Sequence, residues 1–174
     1  IMKYTPFYSR TKRIPVKQLI ARNFRKVILK REKKSNGVTA IYKNEHISRE
    51  ILLNEFYEYD ILVEIIEILN TLDIDYNSTC LDVGANIGNH SVFLSKYFKK
   101  IIAFEPHPLN FLLLSANAFN NPSIRVLNKA CGSSNYTTSI VTLDNYNRGK
   151  SVLRENQKDG LITEVIKIDD SVSE

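Results

Sequence analysis

The 174-residue chain has only two cysteines, and they stand at no metal-binding spacing. Cys80 lies in an apolar run and Cys131 in a Cys-Gly turn, so neither a CxxC redox centre nor a Cys/His metal cluster is expected. Two reduced thiols and no metal is the reading. Long apolar runs are lacking too. The nearest approach to the roughly 18 residues that span a bilayer is "ILVEIIEIL" (61–69), which Glu64 and Glu67 interrupt. No secretory signal is legible, because the first 30 residues are basic throughout and hold no continuous apolar stretch. A cytoplasmic location follows as the expectation, with attachment to a membrane surface left open. The chain starts at Ile1 with Met2 behind it, which reads as a tag remnant or a cut. No internal repeat is visible.

Charge, by contrast, is abundant and unevenly placed. Residues 1–36 carry twelve Lys/Arg against Glu32 alone, a net +11, whereas residues 37–174 carry twelve against eighteen Asp/Glu, a net −6. The basic character belongs to an arm and not to the body, which argues against nucleic acid as the partner of the whole chain. The overall balance, 43% hydrophobic and 25% charged, is that of a folded domain with a core. In the arm, Val16, Leu19, Ile20, Phe24, Val27 and Ile28 recur at helical spacing, with Lys17, Arg22, Arg25, Lys26, Lys30 and Arg31 mostly on the other face. Such a helix docks on its own domain or a neighbouring subunit, lies on an anionic membrane, or meets another acidic partner. The sequence leaves these open.

"KKSNG" (33–37) marks a boundary, giving a basic helical arm over 1–36, a helical lead-in over 37–77 and a core over 78–174. "VTAIY" (38–42) reads as a short strand. "ISREILLNEF" and "EYDILVEIIEILNTL" read as helices from their apolar spacing. Thr79–Val83 reads as a buried strand, followed by a helix over 89–98, a strand over 101–104, a helix opening on Pro108 and a strand over 123–128. This alternation predicts a parallel sheet in an open α/β fold, with the ligand beyond the carboxyl ends of the strands. Gly84, Glu105 and Ala130 stand at those predicted ends. Segment 133–160 has little periodicity and reads as extended, with "TTSIVTL" a candidate strand; "ITEVIKID" (162–169) reads as another.

The stretch "TCLDVGANIGNHSVFL" is a strand running through two glycines into a helix. A P-loop would need Lys-Ser/Thr after the second glycine, and Asn89-His90 stand there. The dinucleotide fingerprint would need a glycine where Asn86 stands. Asp82, just before the turn, also suits a pyrophosphate poorly. S-adenosylmethionine (SAM) suits it better: it has no phosphate, and its ammonium can meet Asp82 through charge-assisted bonds. Gly84 and Gly88 let the main chain pass close to a ligand. Glu105, 23 residues after Asp82, can accept both hydroxyls of a ribose.

"LDVGANIGNHSVFL", "AFEPHPLNFLLLSANAFN" and "RVLNKACGSS" together resemble the FkbM-type SAM-dependent methyltransferase family, firmly over 79–135 and more loosely back to Tyr57-Glu58. The resemblance implies a Rossmann-like class I methyltransferase sheet and SAM as donor. It also implies O-methylation of a hydroxyl on a surface polysaccharide, a glycolipid or a secondary metabolite. By position, Asp82, Gly84, Ala85, Asn86, Gly88 and Asn89 would line the methionine end of the cofactor. Glu105 would hold the ribose, and His107 and Ala130 would lie near the adenine. Tyr57 and Glu58 are looser carry-overs. Asn117 and Ala130 match the family's helix asparagine and its strand-closing alanine. "VIKIDDSVSE" shares Ile-Lys-Ile-Asp with a later family strand but has Ser171-Val172 where Glu-Gly would follow, and it comes too soon after Ala130. The later strands of the sheet are therefore expected to be missing, and the chain reads as a fragment or a degenerate copy.

No catalytic base is assigned. His46 reads as exposed, His90 as a helix-start residue, His107 as cofactor shell, and Asp169-Asp170 as a solvated strand end. Besides the methyltransferase, two other readings stand: a non-catalytic SAM-fold interaction module, and a nucleic-acid methyltransferase guided by the arm. The Asn/Asp-Pro-Pro-aromatic motif that base-methylating enzymes carry is absent.

Overall fold

The computed structural model describes residues 37–43, 45–143, 151–154 and 160–172, all within the unit Asn36–Glu174. The basic arm and its amphipathic helix lie outside the described residues.

Two helices lead in. α1 (His46–Asn54) is capped by Glu45, whose carboxylate accepts from Ser48 N at 2.8 Å and Ser48 Oγ at 2.9 Å. It ends at Glu55, which takes φ 70° and donates its N–H to Ile51 O. α2 (Tyr59–Thr71) follows, entered through Glu58 in the left-handed region at φ 54°.

The chain then alternates: β1 (Thr79–Val83), α3 (Asn89–Leu94), β2 (Lys100–Phe104), α4 (Pro108–Ala118) and β3 (Ile124–Leu127). The three strands form a parallel sheet in the order β1-β2-β3, with Val83, Phe104 and Leu127 level at the carboxyl ends. In β2, Ile101 through Phe104 are all fully buried. Such a run marks a strand covered on both faces. Ile101 and Ala103 join the core built with Ile51, Leu62, Ile66, Val92, Phe93, Leu114 and Ala118 from the four helices; Ile102 and Phe104 are buried outside that cluster.

A second sheet follows, built from β4 (Ala130–Gly132), β5 (Tyr136–Thr142), β6 (Ser151–Arg154) and β7 (Leu161–Lys167) in the order β4-β7-β5-β6. β4 and β7 are parallel, and β5 is antiparallel to both its neighbours. The fold is therefore mixed α/β with a parallel sheet.

Several local expectations change. Residues 38–42 are not a strand: Thr39 N and Ala40 N donate to Asn117 Oδ1 at 2.9 and 2.6 Å, and Tyr42 N donates to Ser48 Oγ, so side chains take the groups a ladder would use. The helix expected over 89–98 is regular only to Leu94. Beyond it the Ser95 hydroxyl bonds back to Val92 O and the backbone tightens to Lys96 N–Phe93 O and Tyr97 N–Leu94 O bonds. Ala130 does not close β3; it opens β4, where it pairs with Val165. The last strand ends at Lys167, and α5 (Ile168–Val172) puts Asp169 and Asp170 in a helical first turn, where Asn135 Nδ2 donates to Asp170 Oδ2 at 3.0 Å.

Candidate functional site

The level strand ends put Asp82, Gly84 and Glu105 on one edge. The turn after β1 is held to β2 by two amides, since Gly84 N and Ala85 N both donate to Phe104 O at 2.9 Å. Gly88 N donates to Ala85 O at 2.8 Å, and Asn86 N donates to Glu105 Oε2 at 2.8 Å. Four amides of the glycine turn are thus engaged inside the protein. A phosphate cradle works by aiming such amides at the ligand, and this turn has given them up.

The two glycines differ in what surrounds them. Gly84 has φ +82° and nothing within 4 Å of where a Cβ would stand. Gly88 has φ +91°, but a Cβ there would lie 2.8 Å from Leu114 Cδ1. Gly84 leaves room for a ligand; Gly88 lets α3 pack against α4.

Glu105 is 5% exposed. Its Oε1 accepts from His107 N at 2.8 Å and Asn110 Nδ2 at 3.3 Å, and its Oε2 accepts from Asn86 N. Asn128 Nδ2 donates to Glu105 O at 2.8 Å and Pro106 O at 3.1 Å, which fixes the backbone around the acid. Burial pushes the Glu105 carboxyl above its ordinary range; the amide bonds from His107, Asn86 and Asn110 oppose this, and the negative charge of Asp82 adds to it.

A cleft of about 120 Å³ opens here. Its floor is Gly84, Asn86, Glu105, Pro106 and Asn110, and its other wall is Ile140 with Ser151, Val152 and Leu153 of the β5–β6 hairpin. Among the described residues that line it there is no Lys, Arg or His, and Glu105 is the one acid. Asn86, at φ +51°, has its Oδ1 buried with no hydrogen-bond partner in the protein. Glu105 therefore offers this floor a charged acceptor, while Asn86, Asn110 and Ser151 carry donors as well as acceptors.

The other expected residues fall into four groups. Asp82 adjoins the cleft without lining it, and its Oδ2 accepts from Ser91 Oγ at 2.5 Å, which ties β1 to α3. Asn89 is buried, and both ends of its amide hold the Tyr57 backbone, Oδ1 accepting from Tyr57 N and Nδ2 donating to Tyr57 O, each at 2.9 Å. Tyr57 thus meets Asn89, with the His46 ring 5.9 Å from the Tyr57 ring. A hydrogen bond to Glu58, with burial and the charges of Glu58, Glu45 and Glu50, pushes the Tyr57 phenol up. His107 is buried at the head of α4, and Ala85 is buried in the turn. Ala130 sits apart in the second sheet. Among the described residues no group of three or more His, Cys, Asp and Glu could hold a metal ion, and no helix is long and apolar enough to cross a membrane.

Sequence reasoning passed over Asn110 and the hairpin. Asn110 had a signal, because it shares the buried stripe of α4 with Leu114 and Ala118, and a polar side chain on such a stripe needs a partner. Of the hairpin wall, β5 was legible as the candidate strand "TTSIVTL", while β6 and its pairing were not read.

The chain matches no family model and no curated protein. A crystal structure of the methyltransferase FkbM from Methylobacillus flagellatus KT is similar at 19% identity, with a TM-score of 0.37, over 56% of this chain and 23% of that one. This chain thus spans about a quarter of that protein's length. So slight a likeness leaves function to be argued from the cleft itself.

Proposed function

We propose that the chain is the cofactor-binding core of a SAM-dependent methyltransferase. The observation that carries this reading is the polarity of the cleft: a buried carboxylate lines a space that no described cation lines, beside a glycine turn four of whose amides are already engaged. A phosphate finds no positive charge on the described lining and meets the charge of Glu105. A ribose diol brings two O–H donors for Glu105, and an α-ammonium brings donors and a positive charge toward Asn86 and Asp82. SAM carries both groups and no phosphate.

Under this reading Glu105 holds the ribose, with its carboxylate set by the amides of Asn86 and His107. Gly84 gives the open space over which the ligand chain passes. Ile140, Val152 and Leu153 exclude water from one side. When bound, SAM supplies a methyl group activated by its sulfonium. The protein's task is then alignment with an acceptor oxygen and removal of a proton. We extend the proposal, on the family resemblance, to a sugar hydroxyl of a surface polysaccharide or glycolipid as acceptor. The basic arm is proposed as a docking element for a membrane surface or partner protein.

A second reading has its own observation. The cleft encloses about 120 Å³, below the roughly 300–1,000 Å³ of small-molecule pockets. A ribose-sized portion fits within it, which favours a module that binds the nucleoside part and does not itself transfer the methyl group.

Calorimetric titration with SAM and S-adenosylhomocysteine, with NAD as control, tests the proposal. Saturable binding of the SAM pair alone, lost in Glu105→Ala, is expected. Binding of NAD in its place would sink the reading. Transfer of a labelled methyl group to a glycan acceptor separates enzyme from module.

A further inference from the structure

Tyr42 is 63 residues from Glu105 in sequence, yet two hydrogen bonds join them. The Tyr42 hydroxyl donates to Asn110 Oδ1 at 2.7 Å, and Asn110 Nδ2 donates to Glu105 Oε1 at 3.3 Å. Asn110 is 2% exposed, so water cannot readily replace either partner. An amide can turn either end toward a carboxylate, with opposite consequences: the NH2 stabilises the charge and the oxygen repels it. A phenol hydroxyl held against Oδ1 selects the first arrangement. The segment that carries Tyr42 is itself pinned. Thr39 N and Ala40 N reach Asn117 Oδ1, while Asn117 Nδ2 donates to Ala40 O at 2.9 Å and to Ile87 O of the glycine turn at 2.7 Å.

We propose that Tyr42 is a positioning residue for Glu105. By fixing the orientation of the Asn110 amide it keeps the strand-end carboxylate able to accept a diol, so the ligand site depends on segment 38–42 being seated. The identity of the diol rests on the function proposed above; the relay itself does not. Near Glu105 the titratable groups are Asp82 on β1, His107 at the head of α4 and Tyr42 on the lead-in.

Tyr42→Phe removes one oxygen and keeps the ring. In ligand-free protein, carbon-detected titration of the Glu105 carboxyl is expected to show a higher midpoint in Tyr42→Phe than in the unsubstituted chain, because the carboxylate loses an oriented donor. An unchanged midpoint overturns the proposal. In the unsubstituted protein, the Asn110 side-chain amide resonances are expected to move with the Glu105 titration, a readout that needs no variant; resonances indifferent to it also overturn the proposal. Binding of S-adenosylhomocysteine to Tyr42→Phe should weaken about tenfold, the order of one hydrogen bond to a charged group, with the loss growing as pH falls. A uniform loss at every pH would reduce Tyr42 to a packing role and overturn the proposal. A moved Glu105 midpoint in a protein that binds no S-adenosylhomocysteine would sustain the relay and sink the SAM reading.

Discussion

Four consecutive residues of β2, Ile101 to Phe104, are fully buried, whereas β5 and β7 bury alternate positions, Thr138 with Ile140 and Thr163 with Val165. The opposite face of β7 leaves Ile162 80% exposed. The central strand of the first sheet is packed on both faces; the second sheet is half solvated, and its buried threonines lie in register with one another. The two supply different walls of one cleft. The parallel half presents a carboxylate whose oxygens, backbone and neighbouring turn are all held by hydrogen bonds. The antiparallel half presents mainly apolar surface from Ile140, Val152 and Leu153. A rigid polar floor selects what binds, and a hairpin wall adds contact area.

If that division is right, the largest effect belongs to the floor. Glu105→Ala should lower affinity for S-adenosylhomocysteine on the order of 100-fold, since two bonds to a charged group are lost, as read by calorimetry. The fold should survive, because the strand ends are set by the core.

Glycine substitutions sharpen the comparison within the floor. Gly88→Ala should destabilise the protein by about 2–3 kcal/mol, through the positive φ and overpacking against the fully buried Leu114. Gly84→Ala should cost only about 1 kcal/mol, from the backbone conformation alone, yet weaken binding more than Gly88→Ala does. Denaturant melts and titrations of the two variants, side by side, check this ordering. Equal losses of binding in both would undo the separate roles given to the two glycines.

The raised Glu105 carboxyl makes pH act in opposite senses on folding and binding. Its folded pKa lies above the unfolded value, so the folded chain holds the proton more tightly. Its contribution to ligand-free stability is most favourable at low pH and declines as pH rises from the ordinary glutamate range through the raised value. Binding needs the ionised acceptor, so affinity should fall by up to about tenfold per unit as pH drops below that raised value. Thermal melts and titrations across the acidic range read the two slopes. Slopes of the same sign would contradict the assignment of Glu105 as the diol acceptor.

The smallest expected effect is at the hairpin. Val152→Ala should weaken S-adenosylhomocysteine about fourfold, the order of one buried methyl group, with little change in melting. An effect as large as that of Glu105→Ala would move the specificity from floor to wall.

What the sequence made legible follows from how local each signal is. The β1 strand Thr79–Val83, the turn through Gly84 and Gly88, the Pro108 helix start and the acid at the end of β2 are written in contiguous residues, and each stands where its local pattern placed it. The short helix α3 was overestimated because Ser95 competes for backbone acceptors beyond Leu94. The 38–42 segment has strand-like composition, but Asn117, far along the chain, takes its amides. Ala130 as a strand end came from its place just after the predicted 123–128 strand and from the family resemblance, and the break into a second sheet depends on pairing with Val165. The family resemblance places Asn89 at the methionine end of a cofactor; in the structure both ends of its amide are engaged with the Tyr57 backbone. The hairpin wall comes from antiparallel pairing of β5 with β6, a tertiary choice that neither segment specifies alone.

The central claim is that the cleft accepts a diol-bearing nucleoside and refuses a phosphate. It is tested most directly by calorimetric titration with 5′-methylthioadenosine and with adenosine 5′-monophosphate under the same conditions. The account predicts saturable binding of the thioether and none of the phosphate. Tighter binding of the monophosphate would contradict it, because an anion would then be held beside the Glu105 carboxylate with no described cation lining the cleft.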